Sequence, residues 1–79
     1  MSNIDKNKGN NLNALLLKNI NEAIKEAKLS KTEIAKRLGI TYPTLWKVLH
    51  GRLKLKPEHI AEIAYMTYKT PNDFFYAKE

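Results

Sequence analysis

From about Leu12 the apolar positions Leu12, Leu16, Ile20, Ala23, Ile24 and Ala27 recur three and four residues apart. That spacing lines one face of an α-helix and predicts a first helix that ends near Ala27. Leu29-Ser30 interrupts the pattern, and Ser30 followed three residues later by Glu33 has the form of a capping box, in which each side chain satisfies a backbone donor the helix leaves unpaired. A second helix is therefore predicted from Ser30, with Ile34, Ala35 and Leu38 on its inner face and Gly39 to stop it, since glycine readily takes the left-handed conformation that closes a helix. Thr41 then offers a hydroxyl N-cap, and Pro43 stands in the first turn, where a missing N–H costs nothing. The third helix ends near His50-Gly51; Leu45, Val48 and Leu49 form its apolar side, which turns Tyr42, Pro43, Trp46 and Lys47 outward.

Arg52-Leu53-Lys54-Leu55-Lys56 alternates like a strand, but so short a run ahead of Pro57 reads better as a basic loop. A fourth helix begins at Pro57 and is expected to bury Ile60, Ala61, Ile63 and Ala64. A last short helix, with Thr70 as cap and Pro71 at its first position, presents Phe74 and Phe75. Residues 1–10 hold only Met1 and Ile4 as large apolar side chains, so they are expected to form a flexible N-terminal arm ahead of one domain over residues 11–79. The expected fold class is all-α, a compact five-helix bundle.

Composition narrows the chemistry. A length of 79 residues suits one domain with a small, efficiently packed core. The absence of cysteine removes disulfides, thiolate zinc sites and thiol nucleophiles together. His50 and His59 are too few to build a His-based metal centre, and neither has a Ser or carboxylate at catalytic spacing; they read as a helix-end polar residue and a surface residue. Glu22/Glu26 and Glu58/Glu62 stand one helical turn apart and read as solvated faces. No metal, no cofactor and no enzymatic activity are expected. The longest run of large apolar residues, Leu15-Leu16-Leu17, falls far short of the roughly 20 residues of a membrane span, and the start lacks the apolar stretch of a signal peptide. A cytoplasmic protein with no membrane partner is the expectation.

Charge is more informative for its position than for its sum of +6. Lys28, Lys31, Lys36, Arg37, Lys47, Arg52, Lys54 and Lys56 face a single anion, Glu33, within residues 28–56, so that segment carries +7 and the remainder −1. An imbalance confined to one segment is the footprint of a polyanion-binding face, although a solvated lysine-rich surface has the same composition.

The stretch from Leu29 to Gly51 resembles the helix-turn-helix of the lambda repressor and Cro-like family. The Leu29-Ser30 opening, the Ile34-Ala35 pair, the Leu38-Gly39-Ile40-Thr41 turn, Thr44-Leu45 and the closing Gly51 all fall in register, and the resemblance continues through Pro57 to Phe75, covering about residues 12 to 76. It implies a sequence-specific regulator of transcription that binds double-stranded DNA, with the third helix entering the major groove and a homodimer on a near-palindromic operator. Repression by occupying a promoter is the economical mechanism, as in a phage Cro-type switch or another regulator carried on a mobile element. Tyr42, Pro43, Thr44, Trp46 and Lys47 become the candidate base contacts, and Lys31, Lys36, Thr41, Arg52, Lys54 and Lys56 the candidate phosphate contacts. Two roles fit Trp46: packing on sugar and methyl groups, or covering the edge of the core. Thr44 likewise suits a base edge, a phosphate or the packing of the turn. Tyr65, Tyr68, Phe74, Phe75 and Tyr76 form a candidate dimer interface, with closure of the core as the alternative for Phe74 and Phe75.

The chain departs from the family at identifiable positions. Lys31 stands where a DNA-contacting glutamine is frequent, which moves the expected contact toward phosphate. Tyr42-Pro43 replaces a polar pair, and proline offers a base only apolar contact, such as with a thymine methyl. Ile24 and Leu49 occupy the places of a buried arginine–glutamate pair; joint replacement by hydrophobes of similar size strands no charge and predicts that the two side chains meet. A second function class stays open: a protein-interaction module, such as an antitoxin or adaptor, whose partner binds the aromatic C-terminus. A third is non-specific DNA compaction, which would show no sequence preference.

Overall fold

One large side chain from each of five helical segments meets at the centre of the molecule: Ile20, Ile34, Leu45, Ile63 and Phe74. The structure, a computed structural model, describes residues 2–75, with side chains from residue 13 onward. The segments are α1 (Ser2–Glu26), α2 (Lys31–Leu38), α3 (Tyr42–Leu49), α4 (Pro57–Met66) and a 3₁₀ helix, Pro71–Phe75. No strand occurs among the described residues, so the fold is all-α.

Periodicity predicts that α1 starts near Leu12, whereas its backbone is helical from Ser2. Once packed turns have nucleated a helix, each added residue brings its own backbone hydrogen bond, so extension needs no apolar face. Along the packed part, Leu16, Ile20, Ala23 and Ile24 are buried and Ala27 is half-buried; the Leu12 side chain lies outside the described residues. The Ser30 N-cap forms as expected, with the Glu33 N–H donating to Ser30 Oγ at 3.4 Å. Loop 52–56 is irregular and holds no strand.

All four α-helices end in one device: a residue of positive φ follows the last turn, and two backbone N–H groups fold back onto carbonyls the helix leaves free. In α2 the residue is Gly39 (φ 73°), with Gly39 N–H donating to Lys36 O at 3.1 Å and Ile40 N–H to Ala35 O at 3.0 Å. In α3 it is Gly51 (φ 75°), with Gly51 N–H on Val48 O at 3.2 Å and Arg52 N–H on Lys47 O at 2.7 Å. Non-glycine residues hold the same position at the ends of α1 and α4, Lys28 (φ 56°) and Tyr68 (φ 63°). Their bonds match: Leu29 N–H to Ile24 O at 3.3 Å, and Lys69 N–H to Ala64 O at 2.8 Å.

Two expectations at the C-terminal end need correction. The last segment is a 3₁₀ helix and not a fifth α-helix, and at its start the Asp73 carboxylate accepts the Thr70 N–H at 2.8 Å. Five residues starting at a proline are too few to build an α-helical hydrogen-bond ladder, which makes the tighter turn the natural form. That N–H bond is the main reason the Asp73 carboxyl is held below its ordinary value of 3.8. Ala61 is exposed, because the inner row of α4 runs from Ile60, half-buried against the core, through Ile63 and Ala64 to Thr67 just past its end. Thr67 is buried without penalty, its hydroxyl donating to Ile63 O at 2.8 Å.

Polar groups tie the segments. Asn19 Nδ2 donates to Phe74 O at 2.8 Å inside the core, pinning the 3₁₀ helix on α1. Asn21 Nδ2 donates to Leu49 O at 3.1 Å, joining α1 to the last turn of α3. Ile24 and Leu49 both belong to the buried cluster, so no charge is stranded at those positions. Arg37 pairs with Glu62 at 2.9 Å between α2 and α4, a half-exposed bridge worth about 0.2–1 kcal/mol.

Candidate functional site

The eight residues of α3 divide cleanly around its axis. Leu45, Val48 and Leu49 are buried, while Tyr42, Pro43, Trp46, Lys47 and the following His50 occupy the outward arc. Tyr42, Trp46 and His50 succeed one another four residues apart, as do Pro43 and Lys47, so two parallel rows run along the exposed side. The exposed fractions are 47% for Tyr42 and 38% for Trp46, enough to offer surface to a partner.

The N-terminus of α3 is organised by two hydroxyls. Thr41 Oγ1 accepts the Thr44 N–H at 3.3 Å and donates to Thr44 Oγ1 at 2.9 Å. The two hydroxyls are therefore paired with each other at the start of α3, and each oxygen can act as donor or acceptor. Thr44 thus takes part in the packing of the turn.

A second ordered group lies at the other end. The Trp46 and His50 rings stack with centroids 3.9 Å apart and planes 19° from parallel. His50 Nδ1 lies 2.8 Å from the Trp46 carbonyl, an acceptor only, so Nδ1 carries the hydrogen and donates it. Arg52 reaches back over the indole, its Cζ 5.5 Å from the ring centroid. Sequence reading assigned His50 no part in the site; the signal present was its spacing of four residues from Trp46 on an exposed helical row.

Of the other cations named from sequence, Lys36, Lys54 and Lys56 are exposed and Lys31 is half-buried at the start of α2. From Ile34 to Pro57 the chain carries no Asp or Glu, so α3 and the loop after it face solvent with cations alone from their own segment. Arg37 is engaged by Glu62 of α4.

No protein-family model, curated protein or solved structure matches the chain.

The aromatic residues of the C-terminal half divide between core and surface. Phe74 is 1% exposed and belongs to the core, which removes it from any interface: the bond from Asn19 to its carbonyl and the turn at Pro71 direct its ring inward. Tyr65, Tyr68 and Phe75 are exposed, and Tyr76 lies outside the described residues. His59, expected at the surface, is half-buried on α4. Among the described residues no three His, Asp or Glu side chains gather to hold a metal ion, and no helix is long and apolar enough to cross a membrane.

Proposed function

We propose that this protein is a sequence-specific double-stranded DNA-binding regulator of transcription of the lambda repressor and Cro-like kind, a five-helix bundle that acts in the cytoplasm as a repressor and dimerises on a near-palindromic operator. The observation that carries the reading is the outward arc of α3: two exposed rows of aromatic, proline and lysine side chains on a short helix, followed by a loop bearing Arg52, Lys54 and Lys56 with no acidic residue nearby in sequence. A major groove is wide enough to admit one such helix.

In this reading Lys47, one turn beyond Pro43, donates to the O6 and N7 acceptors of guanine. Thr44 offers its hydroxyl to a base edge or a phosphate, and Pro43 lies against a thymine methyl. Tyr42 adds a phenol at the groove edge. Lys31, Lys36, Lys54 and Lys56 neutralise phosphates, and each such contact releases counterions, which makes affinity fall steeply with salt. Thr41 acts indirectly, by orienting Thr44.

Selection of bound sequences from a random duplex library at near-physiological salt tests the proposal, with the Lys47→Ala variant in parallel. The expected result is an enriched motif of two related half-sites whose preference relaxes at one position in the variant. Recovery of unenriched DNA would refute base reading. The exposure of Tyr65, Tyr68 and Phe75 favours a second reading, a module whose main partner is a protein bound through exposed aromatic side chains of the C-terminal half, as in an antitoxin or adaptor. The burial of Phe74 shrinks the aromatic surface on which that reading depends.

A further inference from the structure

We infer that Trp46 is a positioning residue and not a reader of bases: clamped by His50, its indole holds the Arg52 guanidinium as a preformed phosphate-binding fork at the end of α3. The inference rests on the DNA-binding reading above and assigns the division of labour within that face. Two constraints set up the arrangement. The His50 ring lies flat on the indole at 3.9 Å and is locked there by its 2.8 Å bond to the Trp46 carbonyl. Gly51, in the left-handed conformation, reverses the chain, and the 2.7 Å bond from Arg52 N–H to Lys47 O sets the direction in which the Arg52 side chain leaves the backbone. The guanidinium then comes to rest over the ring, 5.5 Å from its centroid.

A guanidinium held over an aromatic ring still has N–H donors directed away from that ring, and a phosphate accepts two such donors side by side. An arginine on a mobile loop loses rotamer freedom on binding, and one already held by an aromatic ring loses less of it. The sequence around it contains no competitor: no Asp or Glu lies between Glu33 and Glu58. In this arrangement Trp46 contributes to DNA affinity through Arg52, and the two residues cannot contribute additively.

Duplex affinity of the full chain, measured against salt for Trp46→Ala, Trp46→Phe, Arg52→Ala and the Trp46→Ala/Arg52→Ala double variant, tests this, with circular dichroism to confirm that each is folded. Arg52→Ala is expected to weaken binding about tenfold, as for a lost charge-assisted contact, and to lower the slope of log K against log salt by about 0.9. Trp46→Ala should reproduce most of that loss, and the double variant should be no weaker than Arg52→Ala alone. Trp46→Phe retains a ring beneath the guanidinium and should stay within about twofold of the parent. Additive losses, a change of base preference in Trp46→Ala, or a Trp46→Phe variant as weak as Trp46→Ala would each overturn the inference. If the parent protein binds no duplex, the functional reading itself falls, and inorganic tripolyphosphate then tests the fork alone. Trp46 is the only tryptophan, so its fluorescence reports there directly: a response lost in Arg52→Ala upholds the fork, and an equal response in that variant refutes it.

Discussion

Replacing Tyr68 by glycine is expected to stabilise the protein. Tyr68 closes α4 at φ 63° with its side chain 95% exposed, so it takes on backbone strain and gives almost no burial in return. A left-handed conformation costs a residue with a Cβ about 1–2 kcal/mol relative to glycine. Against this, glycine loosens the unfolded chain by about 0.4–1 kcal/mol. The lost burial is small: one-twentieth of a side chain of about 200 Å², at about 25 cal/mol per Å², is about 0.3 kcal/mol. The balance favours the variant by about 0.5 kcal/mol, equivalent to a rise of about 2–4 °C in Tm for a domain of this size. Gly39 provides the reverse experiment under clean conditions, because a Cβ built there meets nothing within 4 Å. Gly39→Ala therefore isolates the conformational cost, expected at about 1 kcal/mol. Urea unfolding followed by far-UV circular dichroism measures all three proteins. A less stable Tyr68→Gly, or a Gly39→Ala indistinguishable from the parent, would show that the left-handed closure is not what ends these helices.

The remaining expectations concern the core and its ties. Ile34→Ala removes a side chain with no exposed surface and should cost about 2–5 kcal/mol, a large part of the roughly 4–12 kcal/mol that a chain this short possesses; a urea midpoint within error of the parent would contradict the burial. Asn19→Ala leaves the Phe74 carbonyl buried without its donor, at a cost of about 1–3 kcal/mol; hydrogen exchange should speed at residues 71–75, and unchanged protection there would contradict the tie. The Asp73 carboxyl is lowered by the Thr70 N–H, so its contribution is complete above the ordinary aspartate range and disappears as pH falls through the lowered value. Thermal melts between about pH 5 and pH 2 should therefore converge for the parent and Asp73→Asn as pH falls, and parallel curves would refute the coupling.

What the sequence made legible was the local grammar of the helices. Ser30, Gly39 and Thr41 are residues whose side chains, or lack of one, determine the adjacent backbone, and each sits where its chemistry requires. The inward faces of α2 and α3 follow from spacing alone, as does the outward arc of Tyr42, Pro43, Trp46 and Lys47. The errors have a common cause. Ala61 fits a helical face as well as Thr67 does on hydrophobicity, and only the position of neighbouring helices decides that Thr67 faces the core, its hydroxyl satisfied by its own helix. Phe74 and Phe75 are equivalent in composition, and the turn at Pro71 buries one and exposes the other. Lys28 and Tyr68 gave no warning of their positive φ, because a residue with a Cβ is held there by the tertiary contacts of the chain that follows and not by preference of its own. Arg37, read as one of the cations of a basic segment, is diverted by Glu62, a residue of another helix.

Gly51 joins the folding and functional halves of the account. Its φ of 75° lets the chain reverse after α3, and a Cβ added there would come within 3.3 Å of Leu17 Cδ1. Gly51→Ala must therefore absorb the backbone cost of Gly39→Ala and a displacement of Leu17 on α1 as well, so it should exceed that cost. The same reversal delivers Arg52 to the Trp46 ring. A shift at Gly51 is felt at two places at once, the packing of α1 against the end of α3 and the angle at which the arginine meets the indole. Gly39→Ala, by contrast, strains the turn ahead of α3 while leaving the Trp46–His50–Arg52 group untouched. If the arginine fork is set by the turn, Gly51→Ala alters Trp46 fluorescence in the folded protein and Gly39→Ala does not; equal spectra would mean that the ring captures Arg52 whatever the geometry of the turn.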